Sequence, residues 1–229
     1  MKFTFGITTN NGVLTSKIVE SIRREKIPEY EIIVIGSTLV TGEDIINISF
    51  DENQKFGWIT KKKNIITERA KFDNIVYMHD YICLNDSWYQ GQLQAGEYFS
   101  IRMDKIINND GSRFRDWCLW AHNDNFMDSL LGNTGLLLPY EFENLSRFMY
   151  ISGSYWVAKK SVMQQFPLNE DLVWGQGEDV EWSKRVRSVY NFTMNQNSSV
   201  FILKSGKDRA FNEPNEELYK KLKMINNEY

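Results

Sequence analysis

Ile75, Val76, Tyr77 and Met78 form a run of apolar β-formers that stops abruptly in His79-Asp80. An imidazole and a carboxylate are costly to bury unpaired. A strand that delivers them at its end either builds a site or runs out into solvent. Two other apolar runs stop in the same manner, at Thr8-Thr9-Asn10 and at Gly36-Ser37-Thr38. Farther along, Trp174-Gly175-Gln176-Gly177-Glu178-Asp179 places two carboxylates directly behind a pair of glycines, which let backbone approach a ligand closely. A positioned carboxylate takes a proton from a hydroxyl or holds a hard divalent ion. Glu178 and Asp179 equally suit the first turn of a helix, where the N-terminal dipole favours acidic groups. Lys61, Lys62 and Lys63 read as a solvated helix start, and Lys204 as a counter-charge for an anion or a solvated loop cation. The three-lysine run also matches a crude nucleic-acid pattern.

These groups need elements to hold them. The periodicity predicts strands over Lys2 to Thr8, Tyr30 to Ile35, Ile45 to Phe50 and Ile75 to Met78, with helices over Val13 to Arg24 and Trp58 to Phe72. Asp51 to Gly57 reads as a polar loop. Further strands are expected over Glu97 to Met103, Arg147 to Ala158 (with Gly153 for close approach) and Val200 to Leu203. Short helices are expected over Lys160 to Phe166 and behind the 174–177 loop, and a terminal helix over Glu213 to Asn226. Asp104 to Leu145, with Trp117, Trp120 and His122, has weak periodicity and reads as a functional loop or lid, or equally as short helices that the pattern does not place. His122 has no ligand partner at metal spacing. Lys204 to Arg209 is basic and contains glycine. Alternating strands and helices specify an α/β fold with a mostly parallel central sheet flanked by helices. Ligands then gather at the C-terminal edge of the strands, where Thr8-Thr9-Asn10, Gly36-Ser37-Thr38 and His79-Asp80 meet.

Composition narrows the classes. The chain has 229 residues, 42% hydrophobic and 25% charged, with net charge −3. That lacks the basic surface of a duplex-DNA binder. Two cysteines make no disulfide framework. The first residues show no signal-peptide core, and no run is long enough to span a membrane. A cytoplasmic protein is therefore expected. Seven tryptophans exceed ordinary usage; they fill cores or offer flat faces to sugar rings. No G-x-G-x-x-G, Walker loop or G-x-S-x-G elbow occurs.

In their order, these residues resemble the GT-A fold nucleotide-sugar glycosyltransferases, nearest glycosyltransferase family 2 and its relatives. The resemblance runs from Phe3 to Arg209 and is weakest over the insertion from Asp104 to Leu145. It implies a single GT-A domain over 1–229. Residues 1–103 would form the nucleotide-sugar part, 104–212 the acceptor and catalytic part, and 213–229 the C-terminal helix. Thr8, Thr9 and Asn10 resemble the turn that packs around the base. Gly36-Ser37 closes the second strand, where the family often carries an aspartate that is missing here. Lys63-Asn64 resembles the family's helix ahead of its D-x-D strand, and His79-Asp80-Tyr81 stands in the D-x-D place with one carboxylate. Gly153-Ser154 resembles the acceptor-side strand. Trp174 to Asp179 is similar to a W-G-x-E-D loop with one extra residue.

What the resemblance implies is transfer of a sugar from a nucleotide-diphosphate donor, most often a UDP-sugar, to a hydroxyl acceptor. The acceptor would be a glycan, lipid-linked sugar, protein or modified nucleic-acid base. Donor binding falls to Thr8, Thr9, Asn10, Gly36, Ser37, Lys63, Asn64, His79, Asp80 and Lys204. Asp80 would hold a divalent cation, Mn2+ or Mg2+. Asp179 would be the general base of an inverting enzyme, with Glu178 beside it. Gly153, Ser154, Trp156, Trp174 and Gly175 fall on the acceptor side, where Trp156 or Trp174 would stack on a sugar ring. The alternatives are a nucleotidyltransferase and a non-catalytic nucleotide-sugar or carbohydrate-binding module.

Overall fold

The computed structural model describes residues 1–37, 40–120, 135–204 and 211–228. Thr38, His122 and the basic stretch 205–209 lie outside these described residues.

The apolar runs become the middle of a sheet. β1 (Phe3–Thr8) and β4 (Asn74–His79) are buried along their whole lengths, as parallel strands covered on both faces must be. They pair in parallel, with Thr8 opposite His79. β2 (Tyr30–Ile35) lies on the other side of β1, and β3 (Ile45–Ile48) lies beyond it, both parallel. The connecting helices are α1 (Thr15–Arg24) and α2 (Ile59–Arg69). In α1, Ile18, Val19 and Ile22 are all buried, each contributing about 1.5–3 kcal/mol.

Past β4 the sheet is completed by strands out of chain order. These are β5 (Ile82–Leu84), β6 (Ile101–Ile107), β10 (Tyr155–Lys159) and β11 (Phe192–Ile202), and the full order is β3-β2-β1-β4-β10-β6-β11-β5. β10 runs antiparallel between β4 and β6, β11 parallel to β6, and β5 antiparallel on the edge. The sheet is thus mixed: β3, β2, β1 and β4 form one parallel block, and β6 with β11 forms a further parallel pair beyond β10. A second sheet, in the order β12-β8-β7-β9, contains β7 (Cys118–Trp120), β8 (Gly135–Leu137), β9 (Met149–Tyr150) and β12 (Phe211–Asn212). The remaining helices are α3 (Trp88–Ala95), α4 (Lys160–Gln165), α5 (Glu178–Val186) and α6 (Glu216–Glu228). Cys83 and Cys118 are buried thiols. Among the described residues no helix is long and apolar enough to cross a membrane.

Four expectations need correction. The strand expected over Glu97 to Met103 lies at Ile101–Ile107, because α3 ends at Gly96 and the chain must turn before re-entering the sheet. β6 therefore carries Asp104 into the core. There Trp88 Nε1, Gln92 Nε2 and Asn195 Nδ2 donate to its carboxylate at 2.9, 2.7 and 3.0 Å, and the Tyr155 hydroxyl donates as well. Four polar partners from α3, β10 and β11 make a buried carboxylate tolerable, and no periodicity foretells them. The stretch from Asp104 to Leu145 is accordingly not a loop throughout; it holds the end of β6 and all of β7 and β8. The strand expected over Arg147 to Ala158 is a 3-10 turn at Asn144–Phe148, then β9, a bend, and β10. The bend is where Gly153 lies. Val200 to Leu203 is only the end of the eleven-residue β11, whose pairing with β6 is interrupted between Asn195 and Ser199.

Candidate active site

The C-terminal ends of β1 and β4 are stitched into one edge. The Asp80 N–H donates to the Thr8 carbonyl at 3.1 Å. The Thr9 hydroxyl donates to Asp80 Oδ2 at 2.8 Å and accepts the Gly12 N–H at 2.8 Å. The Asn10 N–H lies 3.4 Å from the same Asp80 oxygen. Gly36 and Ser37 follow β2 on this edge, and the Gly36 N–H donates to Ile48. A cleft of about 260 Å³ opens here, lined by Thr8, Asn10, Phe56, Lys62, His79, Asp80, Tyr81, Trp174 and Lys204 among others. His79 is buried and shares a 3.0 Å hydrogen bond with the Tyr81 hydroxyl through Nδ1. Burial first, then Lys63, Lys204 and Lys62, hold the imidazole well below its ordinary range, so it is neutral. The exposed Lys204 ammonium lies 3.7 Å over the Tyr81 ring.

Helix α2 explains how this edge meets the rest. Successive helical residues point about 100° apart, and here neighbours serve different partners. Lys61 pairs with Glu170 at 3.1 Å on the surface. Lys62 is buried and donates to the Thr9 carbonyl at 3.0 Å, to Asn10 Oδ1 at 2.8 Å and to Glu52. Lys63 is also buried and donates to the Gly153 carbonyl at 2.7 Å. Asn64 holds the 168–170 segment, donating to Leu168 O and Glu170 Oε1 and accepting the Leu168 N–H, all within 3.0 Å. Thr60 donates to Leu172 O at 2.8 Å. A run that reads as a solvated basic helix start is instead mostly interior.

The glycine loop is tied to the same helix. The Trp174 N–H donates to Gly57 at 2.8 Å, and Trp58 Nε1 to Glu170 O at 2.7 Å. Gly177, in the left-handed region at φ 71°, turns the chain into α5. Asp179 Oδ2 accepts the Gly153 N–H at 2.8 Å, and Oδ1 accepts the Val180 N–H at 2.9 Å. Glu178 is buried, and burial pushes its carboxyl up against the pull of Lys63. The next residue after Gly153 closes the circuit: the Ser154 carbonyl accepts the His79 N–H at 3.0 Å. Asp179 is thus linked to the end of β4 through two residues of backbone.

No family model and no curated protein matches the chain. Solved structures do. GalNAc-T7, crystallised with UDP, GalNAc and Mn2+, superposes with a TM-score of 0.64 at 12% identity, over 96% of this chain and 45% of that one. TarS 1–349 from S. aureus superposes with a TM-score of 0.56 at 12% identity, over 99% of this chain and 64% of that one. Both neighbours are glycosyltransferases of the GT-A fold. The chain has the GT-A fold. It spans less than two thirds of either neighbour's length.

Within this GT-A frame, Thr8, Asn10, His79, Asp80, Lys204 and Trp174 line one cleft. Thr9 orders it from beneath. Gly153, Ser154, Glu178 and Asp179 gather beside it, and Gly175 is exposed on the loop. Three expected site residues face elsewhere. Lys63 and Asn64 are spent on Gly153 and on the 168–170 segment. Trp156 is buried in β10, stacked on Tyr77 at 4.7 Å between ring centres, with Trp182 and the Lys63 ammonium also against it. It has no face to offer a sugar, because β10 lies in mid-sheet. Sequence reasoning missed Lys62, which no local signal sets apart from Lys61 and Lys63. It also missed Phe56, 84% exposed at the cleft mouth, an aromatic beside a glycine in an otherwise polar loop.

A divalent cation would find one carboxylate here. Among the described residues no three His, Cys, Asp or Glu side chains gather as a metal cluster. Asp80 fits an ion that takes its other oxygen ligands from a diphosphate and water, as Mg2+ commonly does.

Proposed function

We propose that this chain is a glycosyltransferase that moves a sugar from a nucleotide-diphosphate donor, a UDP-sugar, to a hydroxyl acceptor. The observation that carries this reading is the joining of a GT-A cleft edge, Thr8 to Asn10 with Asp80 and Lys204, to the Asp179 carboxylate through Gly153-Ser154. The donor would lie in the cleft, its base toward Thr8, Asn10 and the Gly36-Ser37 turn. A structural neighbour crystallised with UDP and Mn2+ supports that donor class and a cation at Asp80. When bound, the cation would neutralise the diphosphate oxygens.

The chain's own groups supply the rest. Lys204, exposed at the cleft, places a positive charge where the leaving diphosphate gains negative charge. Asp179 takes the acceptor's proton as the acceptor oxygen bonds to the sugar's anomeric carbon. The bond from that carbon to the phosphate oxygen breaks, and the electron pair leaves with the nucleoside diphosphate. Two backbone N–H groups hold the Asp179 carboxylate in one orientation, which is what a base of this kind requires. Glu178, buried beside it, lines the acceptor side. Exposed Trp174 offers a ring face to a sugar at the cleft mouth.

The test is Asp179→Asn. Sugar transfer should fall about 10²- to 10⁴-fold, the usual contribution of a general base. The rise in melting temperature produced by UDP with Mn2+ should persist. Undiminished transfer by the variant overturns the assignment of the base.

A further inference from the structure

We propose that Lys63 is a positioning residue for Asp179, acting through the Gly153 backbone, and does not bind the donor. This rests on the reading of Asp179 as the base. The Lys63 side chain is wholly buried and absent from the cleft lining. Its ammonium donates to the Gly153 carbonyl at 2.7 Å and lies 4.5 Å from the centre of the Trp156 ring. Gly153 in turn gives its N–H to Asp179 Oδ2 at 2.8 Å. One residue is therefore gripped from both sides, by a buried cation on its carbonyl and by the base on its amide. A Cβ at position 153 would stand 3.0 Å from Asp179 Oδ2 and 3.3 Å from its Cγ. The carboxylate lies against bare backbone, and the placement of that backbone, together with the Val180 N–H on Oδ1, sets where its oxygens point.

The electrostatics agree. A buried ammonium without compensation is costly, and the anions acting on Lys63 are Glu178 and Asp179 from α5. Lys62 on the same helix turns away to Glu52. Burial holds Lys63 down to about 8, with the two carboxylates opposing that drop. At neutral pH it is charged, and it loses its charge as the pH passes about 8. Its stability contribution has the opposite sign from its positioning role. The unfolded lysine keeps its proton up to about 10.5, so between these values the fold gains as pH rises while the grip on Gly153 weakens.

Two measurements test this, and the first needs no turnover. With glycine labelled in 15N, amide exchange at Gly153 should be about tenfold or more faster in Lys63→Met than in wild type, with Gly6 in β1 unchanged. Unchanged exchange at Gly153 overturns the proposal, whatever the enzyme does. The second follows UDP release from UDP-glucose, UDP-galactose and UDP-N-acetylglucosamine. Lys63→Met should lower kcat about tenfold or more at unchanged donor KM. Lys63→Arg, which keeps the charge, should recover part of it. A raised donor KM with kcat kept would place Lys63 on the donor and overturn the proposal. No release by wild type would instead count against the glycosyltransferase reading, and the exchange experiment still decides the role of Lys63.

Discussion

The proposed donor edge and the proposed base are assembled in different ways, though they lie side by side. The proposed donor edge is made by β1, β2 and β4, neighbours in the sheet that the chain links through α1 and then through β3 and α2. Its hydrogen bonds, Thr9 to Asp80 and Asp80 to Thr8, run between adjacent strand ends. The base side draws Gly153, the 168–174 segment and Asp179 from a distant part of the chain, and α2 holds them through Lys63, Asn64 and Thr60. The first region inherits its geometry from a parallel sheet. The second has no such ladder and depends on a few polar side chains of one helix. Geometry that rests on few contacts is easier to disturb without unfolding the protein.

Three substitutions sharpen or break that contrast. Gly153→Ala should act most strongly on chemistry, because its new methyl meets Asp179. A displaced base costs about 100-fold in kcat, and donor binding, read as the thermal shift with UDP, should stay. A variant with full kcat would show that Asp179 tolerates displacement and would erase the distinction. Lys62→Met probes the donor edge. It removes three donated hydrogen bonds and strips the half-buried Glu52 of its partner, a loss of about 2 kcal/mol. The melting temperature should drop by about 4–8 °C for a chain of this size, and the UDP shift should shrink. An intact melting temperature would mean that the parallel edge needs no side-chain support. Lys61→Ala, one residue away, removes only a pair a third exposed on each side. Its effect should be below about 1 kcal/mol, and chemical denaturation would detect anything larger. The three answers separate a displaced base, a buried tie and a surface pair within one short neighbourhood.

The strands of the first region were legible because buried parallel strands are continuous apolar runs between turn residues. Tyr30 to Ile35 coincides with β2 throughout, and Ile75 to Met78 lies inside β4. The second region hid its strands. β10 is one run with the bend before it in sequence, and β11 carries Asn, Gln and Ser through its middle, where the interrupted pairing with β6 accommodates them. β6 contains a buried aspartate that only distant partners justify. Among the candidate site residues, Asp80, Thr9, Lys204, Glu178 and Asp179 stand out in the sequence by type and position. Trp156 misled because an indole looks the same in sequence whether it fills a core or meets a ligand. Lys63 misled because a lysine in a basic run has no outward sign of burial.

Sequence by itself determined the α/β class, the strand ends where polar groups collect, and the glycine loop that carries Glu178 and Asp179. Those are local properties: side-chain hydropathy repeats along a strand, and a glycine permits a turn wherever it stands. Only the tertiary structure decided which lysine of Lys61, Lys62 and Lys63 meets which partner, and that Gly153 holds the carboxylate of Asp179. Those depend on helical phase against two other parts of the chain, and phase against a distant partner exists only once both are packed.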